Sequence, residues 1–146
     1  MTREYSLVDK ALSIAKKAHK GQLDKAGKDY ILHPIHVSQQ VKLEEEKAVA
    51  LLHDVIEDTE ITLEDLKKAG MPMDVVEAVN ALTKVEGIDY FDYLKKVKEN
   101  SLARVVKLAD LKHNSDLSRI PEPSKKDLER NIKYKRAMEY LNSVEE

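Results

Sequence analysis

From Ser6 to His19 the apolar residues Leu7, Val8, Ala11, Leu12, Ile14, Ala15 and Ala18 recur at helical spacing, with Lys10, Lys16 and Lys17 opposite. Such a stripe predicts an amphipathic helix that ends before Gly21. Gly21, Gly27 and Pro34 then mark a structured loop up to Pro34, because glycine and proline punctuate regular structure. A short helix is predicted over about Ile35 to Val41. A second runs from about Glu44 to Ile56, and its apolar density over Ala48, Val49, Leu51, Leu52 and Val55 predicts burial. The run Glu44-Glu45-Glu46 suits a solvated helix start, where the helix dipole favours negative charge.

Thr62 with Asp65 reads as a capping box, and Pro72 as a first-turn proline. Further helices are expected over Tyr90 to Lys98 and Ser101 to His113. Pro121 and Pro123 break the chain before Ser124 and Asp127 open a last helix, whose Tyr134, Ala137, Met138 and Leu141 share a face. No segment alternates at period two. The expectation is an all-α fold of seven or eight helices, forming one domain over residues 1–146.

Composition narrows the classes of function. Lys plus Arg number 25 and Asp plus Glu 27, a net charge of −2, which lacks the basic field of a nucleic-acid coat or a polybasic membrane binder. Cysteine is absent, so disulfides and thiolate metal sites are excluded. No stretch approaches the roughly 20 apolar residues of a membrane span, and Met1 to Lys10 is too charged for a signal peptide. A cytoplasmic protein with a small-molecule partner, binding neither nucleic acid nor membrane, is the expectation; the oligomeric state is left open.

The chemistry concentrates at His53-Asp54, set in an apolar run and followed by Glu57 and Asp58. On a helix His53 stands over Glu57 and Asp54 over Asp58. Burying these groups uncompensated costs several kcal/mol per charge, whereas a divalent cation neutralises the carboxylates and accepts an imidazole nitrogen. Two adjacent residues cannot complete a coordination shell. Asp110, interrupting the second buried helix, and His33, which Pro34 is expected to hold extended at the loop mouth, are the best partners. Two imidazoles and two carboxylates suit Mn²⁺, Fe²⁺ or Zn²⁺. His19, His36 and His113 read as structural or supporting residues, and Tyr90, Phe91 and Tyr93 as packing rather than a base-stacking platform.

Four blocks carry a family resemblance: Ala18-His19-Lys20-Gly21-Gln22, residues 25–34 ending in Tyr30-Ile31-Leu32-His33-Pro34, Leu51-Leu52-His53-Asp54-Val55-Ile56-Glu57-Asp58-Thr59, and Val106-Lys107-Leu108-Ala109-Asp110 with His113-Asn114. In this order they resemble the HD-domain metal-dependent phosphohydrolases, in particular the hydrolase domain of RelA/SpoT-type enzymes and the small alarmone hydrolases. The resemblance implies an HD-domain helical bundle in which His33, His53, Asp54 and Asp110 ligate one Mn²⁺ or another divalent metal. It further implies that Glu57 and Asp58 act on the nucleophilic water and that Lys25, Tyr30 and Asn114 line a nucleotide pocket. The implied reaction removes the 3′-pyrophosphate of guanosine 3′,5′-bis(diphosphate)-type alarmones. Two positions depart from the pattern: Asp24 stands where a purine-stacking arginine is common, and Leu117 where a threonine is often found. These departures motivate an alternative substrate, another nucleotide or phosphate ester. A third possibility is a non-catalytic binding domain on the same scaffold.

Overall fold

In a computed structural model of the chain, residues 6–24 and 26–143 are described. They form nine α-helices: α1 (Leu7–Ala18), α2 (Leu32–Gln39), α3 (Glu44–Leu52), α4 (Val55–Asp58), α5 (Leu63–Lys68), α6 (Met73–Leu82), α7 (Tyr90–Glu99), α8 (Ser101–Asn114) and α9 (Lys125–Asn142), with a 3₁₀ turn at Leu117–Arg119. The all-α expectation holds. Among the described residues the nearest thing to a sheet is one isolated bridge between Leu23 and Asp29, inside the loop after α1.

Helix α3 is the axis of the fold, packed against α1, α2, α6 and α8. Every residue from Ala48 to Leu52 is buried, so its apolar density reflects neighbours on all sides rather than one amphipathic face. The remaining core comes from Val75, Val76, Val79 and Leu82 of α6, Leu94 and Val97 of α7, and Val106 and Leu111 of α8. The expected caps at Thr62 and Ser124 form, and Ser6 adds another. Ser6 accepts from the Asp9 amide at the start of α1, and Thr62–Asp65 and Ser124–Asp127 form reciprocal capping boxes that satisfy otherwise orphaned amides. Pro72 takes the cap position itself, one residue ahead of α6.

Two expectations need correction. Helix α2 begins at Leu32, so His33 is helical rather than extended. Pro34 disfavours that geometry in its predecessor, but it sits in the first turn, where its missing N–H costs nothing. Bonds from the His33 amide to Tyr30 O (3.0 Å) and from the Ile35 amide to Ile31 O (3.1 Å) hold the turn. Second, the helix expected to run to Ile56 ends at Leu52, and a separate turn, α4, follows. The His53 Nδ1–H donates to the Ala50 carbonyl, the acceptor that a continuing helix would offer to the Asp54 amide. His53 and Asp54 therefore lie at a break, from which the His53 ring reaches Asp110 of α8.

The aromatic trio divides. Tyr93 is buried, its hydroxyl donating to Leu82 O (2.7 Å), and Tyr90 packs beside it. Phe91 is 53% exposed and meets Tyr90 and Tyr140 edge to face, so burial accounts for it only in part.

Candidate metal centre

Three elements bring four side chains together: α2 contributes His33, the α3–α4 break His53 and Asp54, and α8 Asp110. His33 Nε2 lies 2.7 Å from Asp110 Oδ1, and His53 Nε2 lies 3.3 Å from the same oxygen and 3.0 Å from Asp54 Oδ2. One ligating atom from each of His33, His53 and Asp54 falls within 4.8 Å of the others. His33, His53 and Asp110 are 5% exposed or less, which makes an unbalanced charge here expensive.

The donor set fits a divalent cation. With its Nδ1–H committed to Ala50 O, a neutral His53 presents the Nε2 lone pair to the two carboxylates. His33 Nδ1 lies 2.7 Å from His113 Nδ1; a proton donated from His33 to His113 leaves His33 Nε2 equally free. Donors sharing an ion at bonds of about 2.1 Å stand about 3 Å apart when at right angles, close to the separations observed. Without a cation, His53 must hold the balance as an imidazolium. Burial opposes that charge, but Asp54 and Asp110 override it and raise the His53 pKa well above the ordinary histidine value. Burial likewise pushes both carboxyls up, and the positive neighbours win: His53 keeps Asp54 low, and Lys107 and then His53 keep Asp110 well below the usual range.

The other predicted residues are placed as follows. Glu57 and Asp58 stand on α4, exposed at the rim of the centre, with the Asp58 amide bonded to Asp54 O (3.0 Å). Their carboxyl pKa values are raised by burial and by neighbouring carboxylates, Asp54 for both and Asp58 additionally for Glu57. The Tyr30 hydroxyl donates to Asp54 Oδ2, and Asn114 Nδ2 donates to Asp110 Oδ1 at 3.1 Å. Each of these pocket candidates thus also supports a carboxylate of the centre, an arrangement that orients ligands in metal sites. Lys25 lies outside the described residues.

Among the supporting histidines, His19 is buried, with Nδ1 2.9 Å from Gln22 Oε1. Gln22 in turn donates to Asp58 O at 3.2 Å, tying the loop to α4. His113 lies between His33 and His36, stacked on the latter at 3.9 Å.

Beside the centre a cavity of about 280 Å³ is lined by Tyr30, His33, Asn114, Arg119, Arg130 and Tyr134, with Asp24 and Leu117 in its wall. Asp24 is turned to its own loop: Oδ1 accepts from the Ala26 and Lys28 amides, both at 2.9 Å. Arg119 bridges the opposite wall, Nη1 donating to His113 O at 3.0 Å and Nη2 standing 4.0 Å from Asp24 Oδ2. Arg119 escaped the sequence reading because a lone arginine after a helix carries no local signal. Lys107 escaped too: its ammonium lies 3.1 Å from Asp110 Oδ2 and 5.4 Å from the Tyr93 ring centroid, with the side chain 15% exposed.

A His-Asp pair just past the end of the central helix, facing a second Asp on a neighbouring helix, gives this all-α domain a candidate metal-binding group. The model of the HD domain family matches residues 11–129, and the chain belongs to that family. It is 32% identical over 137 residues to a guanosine-3′,5′-bis(diphosphate) 3′-pyrophosphohydrolase of Borreliella burgdorferi, covering 82% of this chain and 20% of the relative. It is 34% identical over 119 residues to the bifunctional (p)ppGpp synthase/hydrolase SpoT of Escherichia coli, covering 71% of this chain and 17% of the relative. The chain therefore spans about a fifth of the length of these curated relatives. A solved structure of a metazoan ortholog of SpoT, described as hydrolysing ppGpp, superposes with a TM-score of 0.78 at 25% identity over 98% of this chain and 89% of that one. Among the described residues no helix is long and apolar enough to cross a membrane.

Proposed function

We propose that the chain is a metal-dependent phosphohydrolase that removes the 3′-pyrophosphate of guanosine 3′,5′-bis(diphosphate)-type nucleotides, with His33, His53, Asp54 and Asp110 holding Mn²⁺. The observation that carries this reading is the convergence of those four side chains beside a cavity of nucleoside size, with Glu57 and Asp58 on the turn that follows Asp54. The named activity of its relatives supplies the substrate class.

When bound, the ion polarises a phosphoryl oxygen and makes water more acidic. Glu57 and Asp58, whose raised pKa values favour taking up a proton, act as the base for the attacking water. Water adds to phosphorus of the 3′-diphosphate, the P–O3′ bond breaks, and the proton returns to the 3′-oxygen; guanosine tetraphosphate and water thus yield GDP and pyrophosphate. Tyr30 and Asn114 keep Asp54 and Asp110 aimed at the centre, and Asn114, Arg119 and Arg130 offer donors to the nucleotide.

Asp24 favours a second reading in which the same chemistry acts on another nucleotide or phosphate ester, because a carboxylate cannot stack as a guanidinium does. Incubation with Mn²⁺ and a panel of guanosine tetraphosphate, nucleoside monophosphates and simple phosphate esters, with products identified, separates the two. Pyrophosphate released from the tetraphosphate alone supports the first reading. Turnover confined to other esters supports the second, and no turnover at all points to a binding domain.

A further inference from the structure

Lys107 is a half-buried cation that none of the roles above uses. It lies on α8 one turn before Asp110, between that carboxylate and the face of Tyr93. Asp110 divides its two oxygens. Oδ1 faces His33 Nε2 (2.7 Å), His53 Nε2 (3.3 Å) and Asn114 Nδ2 (3.1 Å), whereas Oδ2 faces Lys107 Nζ (3.1 Å). A carboxylate anchored through one oxygen has its other oxygen fixed in direction. Tyr93 limits the movement of the anchor, since its own hydroxyl is tied to Leu82 O and its ring offers the ammonium a favourable face.

From this geometry we infer that Lys107 is a positioning residue for the metal centre: it holds Asp110 by Oδ2 so that only Oδ1 is presented to the ion. This rests on the proposed metal site and adds a determinant of how that site is built. The burial of Lys107 agrees with it. Its side chain is 15% exposed and its ammonium sits 3.1 Å from Asp110 Oδ2, so little water competes for the contact.

The inference has a sign that charge alone does not share. Removing a fixed positive charge near a divalent ion strengthens binding of the ion by simple Coulomb repulsion. Removing an anchor of a ligand weakens it, typically about 10- to 100-fold for groups that orient metal ligands. The test is Mn²⁺ titration of the full chain by calorimetry, with circular dichroism to establish folding. Lys107→Met is expected to raise the Mn²⁺ Kd about 10- to 100-fold. Lys107→Gln, which keeps an N–H donor without the charge, falls between Met and wild type, and Lys107→Arg restores most of the affinity. In an Asp110→Asn background Lys107→Met no longer weakens Mn²⁺ binding, because the anchoring passes through that carboxylate.

Tighter or unchanged Mn²⁺ binding in folded Lys107→Met overturns the inference while leaving the proposed function in place. So does an undiminished effect in the Asp110→Asn background, which remains readable if Lys107→Met alone folds poorly and Lys107→Gln takes its place. A wild-type chain that binds no Mn²⁺ overturns both.

Discussion

Replacing Asp110 by Asn isolates the most consequential interaction of the metal-free protein. Asp110 and Lys107 are 6% and 15% exposed in their side chains and lie 3.1 Å apart. An amide at position 110 leaves the ammonium facing a neutral group in a place that water reaches poorly. Breaking a buried pair by removing one partner costs about 3–5 kcal/mol, most of it the penalty for the charge left behind. For a chain of this size each kcal/mol shifts the melting temperature by about 2–4 °C, so Asp110→Asn is expected to melt about 6–20 °C below wild type in EDTA. Urea unfolding at pH 7, followed by circular dichroism, gives the free energy directly.

Glu57→Gln is the control. Burial and then the Asp54 and Asp58 carboxylates raise the Glu57 pKa from its ordinary value of 4.5. A raised carboxyl pKa stabilises the fold fully below that ordinary value, and the contribution is lost as pH rises above it. The neutral glutamine therefore melts at or above wild type at pH 7. An Asp110→Asn variant within about 1 kcal/mol of wild type would refute the reasoning, because the pair would then not carry a buried charge.

Three further outcomes are expected. Glu57→Gln lowers kcat about 10²- to 10⁴-fold, as loss of a general base does, while the Mn²⁺ Kd from calorimetry stays near wild type; a parallel loss of metal would place Glu57 among the ligands. Tyr30→Phe removes the hydroxyl that donates to Asp54 and raises the Mn²⁺ Kd about 10-fold, with little change in far-ultraviolet circular dichroism. Burial, then the Arg119 guanidinium and the neighbouring His33 and His36 rings, depress the His113 pKa from 6.5 to about 4. A depressed pKa means that its stability contribution is present above 6.5 and is lost as pH falls toward 4. Metal-free His113→Asn should therefore show a flatter stability profile across that interval in urea titrations, and an unchanged slope would contradict the assignment.

Periodicity and caps made most of the helices legible, because Thr62 and Ser124 satisfy helix amides locally and need no distant partner. The breaks were less visible. Nothing in the run Ala48 to Ile56 announces that the His53 ring captures the Ala50 carbonyl, since that competition depends on where the imidazole must point. Pro34 misled in a similar way: its local restriction on His33 yields to the hydrogen bonds that start α2.

For the site, His53-Asp54 stood out as charge in an apolar run, Asp110 as an interruption of a second buried helix and His33 as a residue before Pro34 at the loop mouth. Lys107 was missed because a lysine at one position of an amphipathic helix reads as a solvated surface group. Only the packing of α8 against α3 and α7 shows it turned inward. Tyr30 and Asn114 were assigned to a pocket; the bond from Tyr30 to Asp54 joins different elements and cannot be read from spacing, whereas Asn114 stands one helical turn beyond Asp110.

The most direct measurement of the central claim is anomalous diffraction from crystals of the chain grown with Mn²⁺. One manganese peak per chain, bounded by His33, His53, Asp54 and Asp110, is the predicted result. A peak elsewhere, or density in which either imidazole turns its Nε2 away from the ion, would contradict it.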